Sequence, residues 1–201
     1  MTKISSRIKG LHALLKSEGF ARKGRVWNRV DSEYIDVVNV QVSKSGDRCT
    51  VNLGVIDLGI YRACWDSEPP DFSKDEQCTV RTRLGILLTG HDRWWPLEDE
   101  AEWIDAIAAM ESEGLAFIAK MHSAPAMEAF LRPSYGGLPR YPPEAISLAL
   151  LRSRQGDESG ACDLLTQLLN STIGAWRTKV EIITEKNCKH LPAIFSASPA
   201  T

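Results

Sequence analysis

Two runs of alternating, β-branched sequence set the strongest limit on how this chain folds. Tyr34 to Ser43 (YIDVVNVQVS) and Arg48 to Ile56 (RCTVNLGVI) each repeat with a period of two, the spacing of a strand with two distinct faces. Between them, Lys44-Ser45-Gly46-Asp47 forms a turn in which Gly46 is free to take positive φ. The pair therefore reads as an antiparallel hairpin. In its second strand Cys49, Val51, Leu53 and Val55 share one face, with Val51 and Leu53 expected in the core. Thr50, Asn52 and Gly54 share the other. In the first strand Val38, Val40 and Val42 oppose Asn39, Gln41 and Ser43.

The flanking segments follow other periods. Residues 4–17 put Ile4, Ile8, Leu11, Leu14 and Leu15 on one helical face, closed by Gly19. Val26 to Arg29 is a short strand, and Cys78 to Leu88 reads as another. Beyond Gly90 the chain turns helical. Glu98 to Met121 places Trp103, Ile107, Met110, Phe117 and Met121 near one stripe, with Gly114 positioned to split it. A short helix runs from Ser123 to Arg132, and further helices are expected near 143–155, 158–172 and 175–188. Part of this stretch, AISLALLRSRQGDESGACDLLTQLL, resembles one tetratricopeptide-type hairpin, with Gly156-Asp157 at the turn and Ala161 inside; a solenoid would need about three copies. Strands followed by helices indicate an α+β fold: an antiparallel sheet of about four strands, an N-terminal helix and a C-terminal helical subdomain. The expected division is a sheet portion over 1–97, a helical portion over 98–195 packed on it as one folding unit, and a frayed tail at 196–201.

A composition of 43% hydrophobic and 25% charged residues matches an ordinary globular chain. No stretch approaches the ~20 apolar residues of a membrane span, and charges interrupt the N-terminus too often for a secretory signal. A cytoplasmic setting is expected. Five widely spaced cysteines, Cys49, Cys64, Cys78, Cys162 and Cys188, lack the density of a disulfide framework and are expected as reduced thiols. Cys188 and His190 form a lone Cys-x-His pair, short of the four ligands of a zinc site. No metal and no cofactor are expected.

Four motifs carry a family resemblance: Gly19-Phe20-x-x-x-Gly24-x-x-Trp27-x-Arg29, Val38-Asn39-Val40-Gln41-x-Ser43, Thr50-Val51-Asn52-Leu53-Gly54-Val55, and Arg81-x-Arg83-Leu84-Gly85 leading to Trp94-Trp95. Over residues 5–130 the chain resembles a bacterial family catalogued as domain of unknown function 4304. The resemblance implies a small α+β cytosolic domain, loosely associated with immunity and antitoxin-like proteins. It supplies no catalytic residues.

Candidate functional residues fall into three groups. Asn39, Gln41 and Asn52 with Arg81 and Arg83 form a polar strip across the sheet, either a recognition surface for a carboxylate or phosphate or the solvated face of an antiparallel sheet. Trp94 and Trp95 must point to opposite sides of an extended segment, so one is available to an interface while the other seals the core. Charge supplies the third group. Residues 1–30 hold eight cations (Lys3, Arg7, Lys9, Lys16, Arg22, Lys23, Arg25, Arg29) against Glu18, a net of +7, whereas residues 98–113 hold seven acids and no cation, a net of −7. Glu100, Glu102 and Asp105 either steer a basic partner or balance the basic N-terminal segment. The overall charge of −2 argues against broad nucleic-acid binding.

These features favour a non-enzymatic protein that binds a partner protein, as an immunity or antitoxin-type inhibitor. The alternative is a small enzyme or ligand-binding protein for an anionic molecule or nucleotide in a cleft near Arg81, Arg83 and His91. His91 is the best acid–base candidate, because it sits in a loop at a strand end. A third reading is a subunit that self-associates through its helical tail.

Overall fold

The computed structural model describes residues 3–134 and 137–188. The chain divides into two compact units, Met1–Phe130 and Leu131–Thr201. The change of period near residue 98 marks a change of secondary structure, while the boundary between the units lies at the end of a later helix.

In the first unit, helix α1 (Lys3–Ser17) precedes strands β1 (Ala21–Lys23), β2 (Val26–Val30), β3 (Tyr34–Val42) and β4 (Arg48–Asp57). Helix α2 (Leu58–Trp65) follows, capped by Asp57, whose carboxylate accepts from the Ile60 N–H. Strand β5 (Val80–Arg83) leads into α3 (Leu84–Thr89), the two-residue β6 (Trp95–Pro96), then α4 (Glu100–Ala109), a π turn (Met110–Gly114), α5 (Leu115–Lys120) and α6 (Ala124–Leu131). The sheet is antiparallel in the order β1-β2-β3-β4-β5, with β6 also paired to β4. The α+β expectation holds, with six strands in place of about four.

The hairpin register pairs Val40 with Val51, Asn39 with Asn52 and Gln41 with Thr50, so the two faces read from the sequence are the two faces of the sheet. Both are covered. Every residue of β4 from Cys49 to Asp57 is buried, Val51 (1% exposed) and Leu53 (0%) as expected, but also Thr50 (0%) and Asn52 (6%) on the polar face. Over the Leu53 side passes the long helix of α4, π turn and α5. Gly114 permits its approach: a Cβ there would lie 2.6 Å from Met110 Sδ and 3.5 Å from Leu53 Cδ1. Over the opposite face, Ile35, Val37 and Ile56 pack with Leu58 and Tyr61 of α2.

Three elements differ from their sequence reading. Residues 84–88, expected to continue a strand from Cys78, form α3 instead. The run Leu84-Gly85-Ile86-Leu87-Leu88 is apolar without alternation, and such a run is compatible with either element. Helix α2 and strand β1 did not announce themselves, one lying in an expected connection and the other spanning three exposed residues.

In the second unit, α7 (Pro142–Arg154), α8 (Glu158–Ser171) and α9 (Ala175–Asn187) form a helical array close to the expected bounds. Ala161 is 1% exposed within it, and Gly156, at φ 90°, turns α7 into α8. The tail at 196–201 lies outside the described residues. Among the described residues no helix is long and apolar enough to cross a membrane.

The expectation of five reduced thiols is corrected here. Cys162 of α8 and Cys188 are joined in a disulfide. Their separation of 26 residues gives no sequence signal, and only the antiparallel α8–α9 pairing brings them together. Cys188 is thus committed to sulfur, and His190 lies outside the described residues. Cys49, Cys64 and Cys78 are in no disulfide among the described residues.

Two measurements test this packing. Leu53→Ala is expected to cost about 2–5 kcal/mol in urea unfolding, and a loss under about 1 kcal/mol would mean that the Leu53 pocket is not the core. The thiols give a pH signature. Burial pushes the Cys49 thiol up to about 12, against a weaker opposing pull from Arg7. Burial, then the Asp75 carboxylate, pushes Cys78 well above its usual range. Above the ordinary thiol pKa near 9.0 the unfolded chain loses protons that the folded chain keeps, so stability falls as pH rises towards 12. Wild type is expected to lose stability faster than Cys49→Ala/Cys78→Ala between pH ~8.5 and ~10. Parallel profiles would show that neither thiol is shielded.

Candidate functional site

Register builds the polar strip. Asn52 pairs with Arg83 and Gly54 with Arg81, which sets both arginines on the face that carries Asn39, Gln41 and Asn52. The structure connects most of these residues to one another. Arg83 Nε donates to Asn52 Oδ1 at 3.2 Å and its Nη2 to Gln41 Oε1 at 3.3 Å, while Asn52 Nδ2 donates to the same Gln41 oxygen at 3.2 Å. Arg83 Nη1 pairs with Asp92, which also accepts from the Trp94 indole N–H at 3.0 Å. The guanidinium carbon lies 5.3 Å from the centre of the Trp94 ring. Asn39 is drawn aside to Asp75, donating to its carboxylate at 2.8 Å.

A charged fork satisfied on all sides positions the segment after α3 and has little capacity left for a ligand. Arg81 differs. It is exposed and has no ion pair or hydrogen bond among the described residues. His91 is exposed; its backbone N–H donates to Thr89 Oγ1, and its imidazole has no partner among the described residues. The tryptophans split as their adjacency requires: Trp95 is fully buried and Trp94 half-buried. The Arg93 guanidinium stacks on Trp95 and donates to Glu102 at 2.9 Å.

The acidic helix is partly matched from within. Asp99 caps α4 by accepting from the Glu102 N–H at 3.0 Å, and acids in the first turn also suit the helix dipole. Arg7 of α1 reaches Glu100 at 3.7 Å and donates to the Leu97 and Glu98 carbonyls, while Trp103 donates back to the Arg7 carbonyl at 2.8 Å. Glu102 is held by Arg93. Asp105, Glu111 and Glu113 remain exposed without a cation among the described residues. Beside Asp105, Ile104 is 59% exposed, flanked on the same face by Ala101 and Ala108.

One constellation was not singled out from the sequence. Asp36, 1% exposed, accepts from Arg29 Nε at 2.8 Å and lies 2.6 Å from His122 Nε2, whose ring stacks on Tyr34 at 4.4 Å between centroids. A signal existed in Asp36 itself: its parity with Val38 and Val40 places a carboxylate on an inward face, where it requires partners. His122, 86 residues away, could not be named from the pattern.

A family model described as "Domain of unknown function (DUF4304)" matches residues 11–114. No curated protein and no solved structure matches the chain.

The strip has a stability consequence. Asn52→Ala removes an acceptor from Arg83 and a donor from Gln41 at a buried position, and is expected to cost about 1–3 kcal/mol. Denaturant unfolding measures it; a change below about 0.5 kcal/mol would mean that the strip is not part of the scaffold.

Proposed function

The chain belongs to the DUF4304 family, and from that premise, with no family activity to inherit, we propose that it acts without catalysis by binding another protein, as an immunity or antitoxin-type inhibitor. The contact face is the exposed side of α4 and the π turn, and the partner presents a basic surface. The observation that carries this reading is Ile104, 59% exposed beside Asp105 and Glu111, two carboxylates with no internal cation among the described residues. An apolar anchor within a charged rim is the arrangement of a protein contact, and unmatched carboxylates would speed encounter with a basic partner. Glu100 and Glu102 contribute less, because Arg7 and Arg93 already hold them. The reading keeps the protein in the cytoplasm, where a bond such as that between Cys162 and Cys188 is normally reduced.

A second reading draws on the unpartnered Arg81: an anionic small molecule held there, with Arg83 and His91 nearby in the sequence. Titration with inorganic phosphate distinguishes it, since saturable binding lost in Arg81→Gln would favour the ligand site.

The principal test is affinity purification from the native host with wild type and with Ile104→Asp/Asp105→Lys, whose fold is checked by circular dichroism. A basic protein is expected with wild type and is expected to be lost with the variant. Its association rate should fall roughly tenfold or more as salt rises from low to physiological levels. Recovery of the same partners at unchanged affinity would remove α4 from the interface.

A further inference from the structure

The near-neutral total charge conceals a cationic face at the start of the chain. His12 and Lys16 share a face of α1, four residues apart. The Trp27 indole N–H donates to His12 Nδ1 at 3.1 Å, which sets that face of α1 against β2. Across the β1–β2 hairpin Arg22 pairs with Trp27. Its guanidinium carbon lies 5.3 Å from the centre of the indole, and its Nε donates to the Gly24 carbonyl at 2.7 Å. Arg22 is thereby held against the ring, and its terminal nitrogens have no partner among the described residues. The hairpin turn adds Lys23 and Arg25. Lys16, Arg22, Lys23 and Arg25 are all exposed, and none has an ion pair among the described residues. Glu18, the nearest acid in sequence, turns towards Arg29 at 3.9 Å.

We propose that this face binds the sugar–phosphate backbone of a nucleic acid without reading its sequence. Lysine and arginine contacts to phosphate fix position and carry most of non-specific affinity, and an arginine pre-set by stacking offers its fork to two phosphate oxygens at low entropic cost. An acidic protein partner fits less well. Protein interfaces desolvate an apolar centre, and the aromatic ring at the middle of this patch, Trp27, is 0% exposed. The total charge of −2 reflects acids gathered elsewhere, on α4 and the π turn.

The test is fluorescence anisotropy with a short labelled DNA duplex and, separately, its single strand. Binding in the micromolar range is expected at low salt, independent of base sequence. Affinity should weaken by about a hundredfold between roughly 50 and 200 mM salt, the slope for about four phosphates. Lys23→Gln/Arg25→Gln, at exposed turn positions that leave the Trp27 packing intact, should weaken duplex binding at least tenfold and flatten the slope by about two contacts. Arg22→Gln tests the stacked fork and should add a further loss. Ile86→Ala, at an exposed position of α3, should change nothing. Absence of binding at low salt, affinity unmoved by the turn variants, or equal affinity for polyglutamate of matched charge would each overturn the proposal.

Discussion

Strand β4 has no side that faces water, and the first unit is arranged around that constraint. It lies between β3 on one edge and β5 and β6 on the other, and it is buried from Cys49 to Asp57. A central strand sealed on both faces normally carries apolar residues throughout, yet this one places Thr50, Asn52 and Asp57 inside. Each must find a partner within the protein or leave a buried polar group unpaired. Thr50 donates to the Arg93 carbonyl at 3.0 Å, Asn52 joins Gln41 and Arg83, and Asp57 caps α2. These partners lie on the neighbouring strands β3 and β5 and on the segments that leave the sheet. Satisfying β4 therefore also fixes where α2, β5 and the 91–95 segment lie.

A polar strip used in this way has most of its binding capacity spent internally, with Arg81 the exception. Arg83, taken alone, is the type of side chain that recognises anions. In place, it is held by two amides, a carboxylate and an indole, and it serves the scaffold. The chemistry left available lies at the periphery: carboxylates on the outer side of α4 and the π turn, and cations on α1 and the β1–β2 turn. The separation follows from packing. Arg7 and Arg93 neutralise only the first turn of the acidic helix, so Asp105, Glu111 and Glu113 keep their field. Trp27 draws Arg22 against its ring and away from any carboxylate.

The buried Asp36 shows a second way in which charge is accommodated. It joins β2 through Arg29 and the turn after α5 through His122, closing the first unit with charge-assisted contacts in place of an apolar plug. Such a cluster is costly to interrupt, because removing one partner leaves a charge buried and unpaired.

Local order in the sequence determined the β3–β4 hairpin with its turn and two faces, helix α1 with its stop at Gly19, and helices α7 to α9. Each is written in a period of two or 3.6 and in turn residues a few positions apart, so the information is contiguous. Membership of the polar strip was also legible, since strand parity alone assigns Asn39, Gln41, Asn52, Arg81 and Arg83 to one face. That this face is covered along β4, while Gln41 and Arg81 stay exposed, was decided by tertiary structure, because parity says which residues share a face and nothing about what packs on it. The same holds for α3, where an apolar run took the helical option, and for the Cys162–Cys188 bond and the Asp36–His122 pair. Their partners are brought together only by the folding of segments 26 and 86 residues apart, and no local pattern encodes such a distance.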